Sequence, residues 1–561
     1  MKNHFLVSAL AILLGSTAVQ AQTAAPAAPP APAAREDALD PSPVDPANDP
    51  DVPMFIGDYR DAPPRAAYGG LVFRDMLTQL TTEEPLRPDS RGAVLQYMKA
   101  ISHASLAPGA TATGRAPAGD RQVFYTAAGT GSLTVNGRSH AISDGTGFTL
   151  TADFEFTLTN TGTEPLEFYV RWETLPDNYT LSGDVTVVDR FQNDRQIGAH
   201  WVHICNGGPN GFNLCTIAPR TMPHPHSHPG EEVWIAVRGE TVLTLGKYMA
   251  RMVPGQAYRI PPTGLTAHSN INLGDEPVQM LFVGPAQRAS TPPNPPRVDF
   301  ARLDNRSYVR ENEPDVDMYM GSWRDAVPRI MHGNLYFRDM LTELEGTDPL
   351  RPTRTGAVLT NATAVSFAQL EPGATAHPVA GELDGIQQTF VVDSGAGSIT
   401  SGGRTMLLEK GLAFVVAPGA DFSLMATGDA YMNFYVVSER IPADTPLRTT
   451  VDVIDNRAAP QVPNSWHDQE RPLVTDAHGL LQYDAITQVE LGAMAMSRPY
   501  SVANGGEEIW IATDGYVDLL IGKELRRLPA GTAYLVPPTG ITAHARVNTT
   551  DSTARFLYMV K

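Results

Sequence analysis

The chain is 561 residues long, too much for one hydrophobic core and enough for several domains of roughly 100–200 residues each. Its 48 glycines and 47 prolines beside 8% aromatic residues point to short elements joined by sharp turns and argue against long helices. Two cysteines exclude a cysteine-rich scaffold or an all-cysteine metal cluster, and 42 Lys+Arg against 61 Asp+Glu, a formal net charge of -19, argue against generic nucleic-acid binding.

The N-terminus reads MKNHFLVSALAILLGSTAVQAQT, with one lysine, an apolar run from Phe5 to Leu14, and Val19 and Ala21 ahead of a cut after Ala21. This is the pattern of an export signal over residues 1–21. The run is too short for a membrane span and none follows, so the sequence predicts no stable membrane insertion and a periplasmic or extracellular location. In such a compartment Cys205 and Cys215 either pair or stay as two buried thiols. Residues 22–48, Ala/Pro-rich, read as a linker with no core of its own.

From there the chain matches itself. DVPMFIGDYRDAPPRAAYGGLVFRDMLTQL at 51–80 returns as DVDMYMGSWRDAVPRIMHGNLYFRDMLTEL at 315–344, and PGATA at 108–112 returns at 372–376. Further on, EEVWIAVRG at 231–239 returns as EEIWIATDG at 507–515, and IPPTGLTAHSNIN at 260–272 as VPPTGITAHARVN at 536–548. The order is A-B-A′-B′, with boundaries at 49–175, 176–300, 301–440 and 441–561. The segments RQVFYTA from Arg121, LEFYVRW at 166–172 and ARFLYMV at 554–560 have strand composition, and Leu166, Phe168 and Val170 alternate to one side. The sequence therefore predicts an all-β chain of small sandwiches or barrels, with FRDMLTQL and FRDMLTEL as candidates for a little helix. The matched blocks at 51–80 and 315–344 are candidates to cover a neighbour's edge, with Arg60/Asp61 and Arg324/Asp325 as local ion pairs.

Unit B carries the chemistry. His226 and His228 stand at i and i+2, on one face of a strand, Glu232 follows after a turn, and His268 enters from a neighbouring strand. Three imidazoles and one carboxylate suit a divalent metal with open positions for water or substrate. In MPHPHSHPGEEVWIAVRGE, His226, His228, Glu232 and Gly239 resemble the first motif of the cupin superfamily, and Gly255, Pro262, Gly264, His268 and Asn272 resemble its second, with one extra residue in two intervals. The resemblance covers about 50 residues of B and a comparable stretch of B′. It implies jelly-roll β-barrels and, through the repeat, four cupin-like domains arranged as a duplicated bicupin with one complete metal motif.

Around this centre, His224 reads as a supporting partner, an alternative ligand or an exposed loop residue, Trp234 as core filling and Asn272 as a turn stabiliser. His203 and Arg220 are candidate catalytic residues beside Glu232: His203 to move a proton, Arg220 to pair with an anionic substrate. The alternatives are a packed histidine and a surface salt bridge. Gap-free alignment of B′ puts Tyr500 at His224, Val502 at His226 and Asn504 at His228, keeping Glu508 and His544, so B′ is expected to hold no metal. Units A and A′ lack the histidine pair and read as structural.

The leading functional reading is a metal-dependent oxidoreductase, dioxygenase-like, with Fe, Mn, Cu or Ni (Zn as a redox-inert option) held by His226, His228, Glu232 and His268. It would act on a small oxygenated organic compound, an anionic one included. Alternatives are a lyase or decarboxylase, an isomerase, or a non-catalytic metal-dependent binding protein for a carbohydrate or organic acid. No nucleotide fingerprint is present, no nucleic-acid partner is expected, and a monomer or a homo-oligomer would both fit.

Overall fold

In unit A the alternating run Leu166–Thr174 lies in the middle of a large, mainly antiparallel sheet, between Met98–Leu106 and Asp120–Ala128. Leu166, Phe168 and Val170 turn inward and are fully buried, as their period-2 spacing predicts. The computed structural model describes residues 50–175, 185, 187–189, 203–207, 212–223, 230–246, 248–263, 266–283, 314–463, 468–500, 502, 506–522, 524–539 and 544–561. The segments expected to be an export signal (1–21) and a linker (22–48), together with His200, Trp201 and the His224–His228 segment, lie outside the described residues.

The described chain is all-β, with short 3-10 turns and no longer helix among the described residues. FRDMLTQL and FRDMLTEL are strand, within Leu71–Gln79 and Leu335–Glu343, which corrects the helical expectation. The polar residues that interrupt their alternation have partners in the sheet: Asp75 is held by Arg65 (2.7 Å) and Ser102 (2.5 Å), and the register shifts between Asp75 and Leu77.

Unit A pairs its large sheet with a small one, Thr111–Gly114, Phe156–Asn160, Thr130–Val135 and Arg138–Ser143, around a core of Phe73, Phe124, Phe148, Phe156 and Phe168. A′ repeats both sheets, with Phe337, Phe390, Phe414 and Phe434 in its core. The first sheet of B runs Ile56–Asp58, Gln256–Arg259, Val233–Arg238, Val278–Val283, Phe212–Ile217, His203–Gly207. That of B′ begins in the same order: Met320–Ser322, Thr532–Leu535, Glu508–Asp514, Ala554–Val560, Ala485–Leu491, Asp468–Thr475.

An outer strand of each B-type sheet is thus supplied by the repeated opening of the A-type block, which covers the neighbour's edge. Gly57 and Gly321 have no room for a side chain there: a Cβ would sit 1.8 Å from the carbonyl oxygen of Met76 or Met340. Arg60 and Arg324 clamp the following turn through Pro254 O (2.8 Å) and Ala530 O (2.7 Å). Arg60 pairs with Asp58 and not with Asp61, a correction to the local ion pair expected from the sequence.

Two buried glutamates fasten the units. Glu231 accepts the backbone N–H groups of Gln96 (2.6 Å), Tyr97 (3.1 Å) and Met98 (3.1 Å), and Glu507 those of Thr360 (2.6 Å), Asn361 (3.1 Å) and Ala362 (3.4 Å). B and B′ share a seven-stranded sheet joined where Tyr248 pairs with Ala495, and the reciprocal bridge pairs Glu524 with Thr221. Met222, Val242, Ile271, Met496, Leu520, Leu525 and Val547 close this seam, each larger side chain contributing about 1.5–3 kcal/mol on burial.

Candidate functional site

Glu232 and His268 meet inside unit B. Glu232 precedes Val233–Arg238, His268 opens His268–Ile271, and both are buried, with His268 Nε2 4.0 Å from Glu232 Oε1. The same carboxylate oxygen accepts the indole N–H of Trp234 at 2.5 Å, and the Trp234 and His268 rings meet edge to face with centroids 5.7 Å apart. Asn272 stabilises the turn, its amide donating to the carbonyls of Ile217, Ala218 and Glu276 while its oxygen accepts from Gly274.

Among the described residues no three His, Cys, Asp or Glu side chains converge in a way that would hold a metal ion. His226 and His228 lie outside the described residues. The described donors are a carboxylate already engaged by Trp234 and one imidazole, too few for a stable divalent site. This corrects the expectation of a complete metal motif with Fe, Mn, Cu, Ni or Zn. It also corrects the readings built on it: the dioxygenase-like oxidoreductase, the metal-dependent lyase, decarboxylase or isomerase, and the metal-dependent binding protein.

Arg220 sits at a turn with φ of 53°, and its guanidinium pairs with Asp275 at the surface (3.1 Å), the salt-bridge alternative. His203 opens the strand His203–Gly207 opposite Ile217; its side chain lies outside the described residues. Cys215 is disulfide-bonded, and its register partner Cys205 is the one other cysteine in the chain.

The second copy shows what B lacks. Asn548 caps Leu491 and Gly492 as Asn272 caps Ile217 and Ala218, and Met494 and Arg220 share the left-handed backbone. Counting on from these anchors, Tyr500 matches position 226; the gap-free alignment misplaces it by two residues because B′ carries its extra residues between Tyr500 and Glu508. In B′ the carboxylate oxygen Glu508 Oε1 accepts from Tyr500 Oη (2.6 Å) and Trp510 Nε1 (2.7 Å) and contacts His544 Nε2 (2.9 Å). Burial alone would raise the Glu508 carboxyl, but His544, Tyr500 and Arg546 hold it below the usual carboxylate range.

Arg546 completes that network. It donates to Tyr500 Oη (3.0 Å), forms a buried pair with Asp468, and lies with its guanidinium carbon 4.0 Å from the centre of the Trp510 ring. Burial would lower its pKa, yet the Asp468 carboxylate raises it instead. Its counterpart in B is Asn270: Asn270 pairs with Leu243 as Arg546 pairs with Leu519. Asp468 corresponds to His203, since Asp468 pairs with Leu491 and His203 with Ile217.

Where Arg546 fills B′, unit B has a pocket of about 40 Å³ lined by Trp234, Asn270, Met280 and Phe282, with Cys215, Ile217, Pro223 and Ser269 completing the wall. The matching positions in B′ carry the larger Phe556 and Tyr558, packed on Trp510 at 5.0 and 4.2 Å. Sequence reasoning missed Asn270 and Arg546; comparing the copies inside the shared TAH segment, away from the ligand positions, would have found them.

A protein-family model described as Cupin domain matches residues 213–284, the segment that carries Glu232, Trp234, His268 and Asn270. No curated protein matches the chain. Similar solved structures include vicilin from Corylus avellana (11% identity, 43% of this chain and 85% of that one, TM-score 0.33). Two others are Lactobacillus farciminis oxalate decarboxylase in a formate complex (13% identity, 43% and 86%, TM-score 0.33) and AerE from Microcystis aeruginosa (12% identity, 41% and 97%, TM-score 0.31).

Proposed function

We propose that this protein binds a small organic ligand through the pocket of unit B. The observation that carries the reading is the difference between the two copies: one interior is filled by Arg546, Phe556 and Tyr558, and the other is open beside Asn270, Met280 and Phe282. A volume of about 40 Å³ has room for roughly three water-sized groups, so the pocket takes the head of a ligand. An aromatic and sulfur-lined wall with a few polar groups is the usual composition of such sites.

On this reading the sheets pair into four cupin-like barrels with the boundaries 49–175, 176–300, 301–440 and 441–561. The A-type barrels brace the B-type ones through the Glu231 and Glu507 clamps. Export to the periplasm or the outside is part of the same reading, supported by the N-terminal pattern and the disulfide at Cys215.

The test is a thermal-shift screen of a small-molecule library on the full chain and on Asn270→Arg, which installs in B the residue that fills B′. Ligands that raise the melting temperature of the wild type and not of the variant support the reading. A library whose hits shift both proteins equally contradicts it.

A further inference from the structure

We infer that the ligand of unit B is an organic cation with a flat guanidinium or amidinium head, seated over Trp234 as the Arg546 side chain is seated over Trp510. This rests on the pocket being a ligand site and goes further by naming the ligand's chemistry.

Unit B′ supplies the template. Arg546 leaves its strand at the register position of Asn270, so its side chain occupies in B′ the space that Asn270 leaves open in B. Its head lies 4.0 Å from the Trp510 centroid and 5.9 Å from that of Phe556. It is a built-in cation in an aromatic site.

Of the features that make this place favourable to positive charge, the B pocket keeps the aromatic ring and the carboxylate bound to it, while the position of Asp468 is held by His203. Trp234 retains its ring and its N–H bond to the Glu232 carboxylate (2.5 Å), as Trp510 does to Glu508 (2.7 Å). An indole N–H bound to a carboxylate gains electron density, which strengthens the attraction of the ring face for a cation. Phe282 adds a second ring and Met280 a polarisable sulfur. The Asn270 amide nitrogen donates to Met280 Sδ (2.9 Å), and its oxygen is the atom this side chain can offer as an acceptor to a ligand N–H. None of the described residues that line the pocket carries a basic side chain.

A planar guanidinium is more weakly hydrated than an ammonium, so it loses less on entering an apolar pocket. A net charge of -19 favours the approach of cations over that of organic anions.

The experiment is isothermal titration of the full chain with three probes that share a butyl chain and a flat head: butylguanidine (cationic), butylurea (neutral) and pentanoate (anionic). Butylguanidine is expected to bind one equivalent at least tenfold more tightly than either other probe, and Asn270→Arg to abolish that binding. Should that variant fail to fold, Met280→Phe, which narrows the same wall, is expected to weaken butylguanidine at least tenfold. Equal or tighter binding of butylurea or pentanoate overturns the cation assignment while leaving the pocket a ligand site. No binding of butylguanidine at millimolar concentration overturns it too, and the library screen then decides separately whether the pocket binds anything.

Discussion

Asn270 and Arg546 stand at one register position in two copies of the same sheet, Asn270 opposite Leu243 and Arg546 opposite Leu519, yet one borders a pocket and the other fills it. The exchange reaches the other sheet of each copy, where Asp468, the partner of Arg546, corresponds to His203. The duplication thus kept one interior open and closed the other with a buried ion pair.

That ion pair is strongly asymmetric to mutation. Arg546→Gln alone takes the guanidinium of the ion pair away from the buried Asp468 carboxylate and is expected to cost about 3–5 kcal/mol in urea unfolding. The double variant Asp468→Asn/Arg546→Gln is expected to cost clearly less than the sum of the two single changes. Additive losses would mean that the two side chains do not depend on one another.

The Glu231 clamp makes a second stability prediction. Its carboxylate accepts three backbone N–H groups of unit A, and Glu231→Gln keeps the shape while removing the charge that strengthens those bonds. A loss of about 2 kcal/mol is expected in chemical denaturation, with faster amide exchange at Gln96, Tyr97 and Met98. Unchanged exchange at those three residues would contradict the assigned role.

His332 gives a pH dependence. It is buried in A′, bonded to Gln388 (2.7 Å), with Glu382, Arg329 and His377 also facing it. Burial pushes its pKa below the ordinary 6.5, against the opposing pull of Gln388 and Glu382. The unfolded chain therefore takes up its proton at a higher pH than the folded one. The stability tied to neutral His332 is present above pH 6.5 and is lost as the pH falls through 6.5 toward the lowered folded value. In unit A the same left-handed position holds Tyr68, bonded to Gln122 (2.8 Å). His332→Tyr is expected to flatten the fall in melting temperature between about pH 7 and about pH 5. An unchanged profile would place the acid sensitivity elsewhere.

The disulfide is expected to matter for stability. Reduction, or Cys215→Ser, removes a cross-link closing a short loop and is expected to cost about 2–3 kcal/mol. A change below about 0.5 kcal/mol would contradict this.

Periodicity made the strands legible: Leu166, Phe168 and Val170 face the core as their spacing implies. The FRDMLTQL segment misled because Arg74, Asp75 and the bulge before Leu77 break its alternation, and their sheet partners lie far off in sequence. Motif spacing brought Glu232 and His268 together, and the structure keeps them 4.0 Å apart. It gave no sign that Trp234 engages the carboxylate, because that bond depends on the pleat and not on spacing. Glu231 was hidden beside its neighbour, since its partners lie more than a hundred residues away. Tyr500 fell out of register because a gap-free comparison cannot see an insertion between two anchors.

The central claim is that the interior of B is open to a ligand while that of B′ is closed. Fluorine NMR of the chain labelled with 5-fluorotryptophan tests it most directly, because each of the six tryptophans gives its own resonance. Trp234→Phe and Trp510→Phe assign the two that matter. Titration with butylguanidine, or with a hit from the library screen, is expected to shift the Trp234 resonance saturably and leave that of Trp510 in place. A saturable shift of Trp510 with Trp234 unmoved would contradict the account.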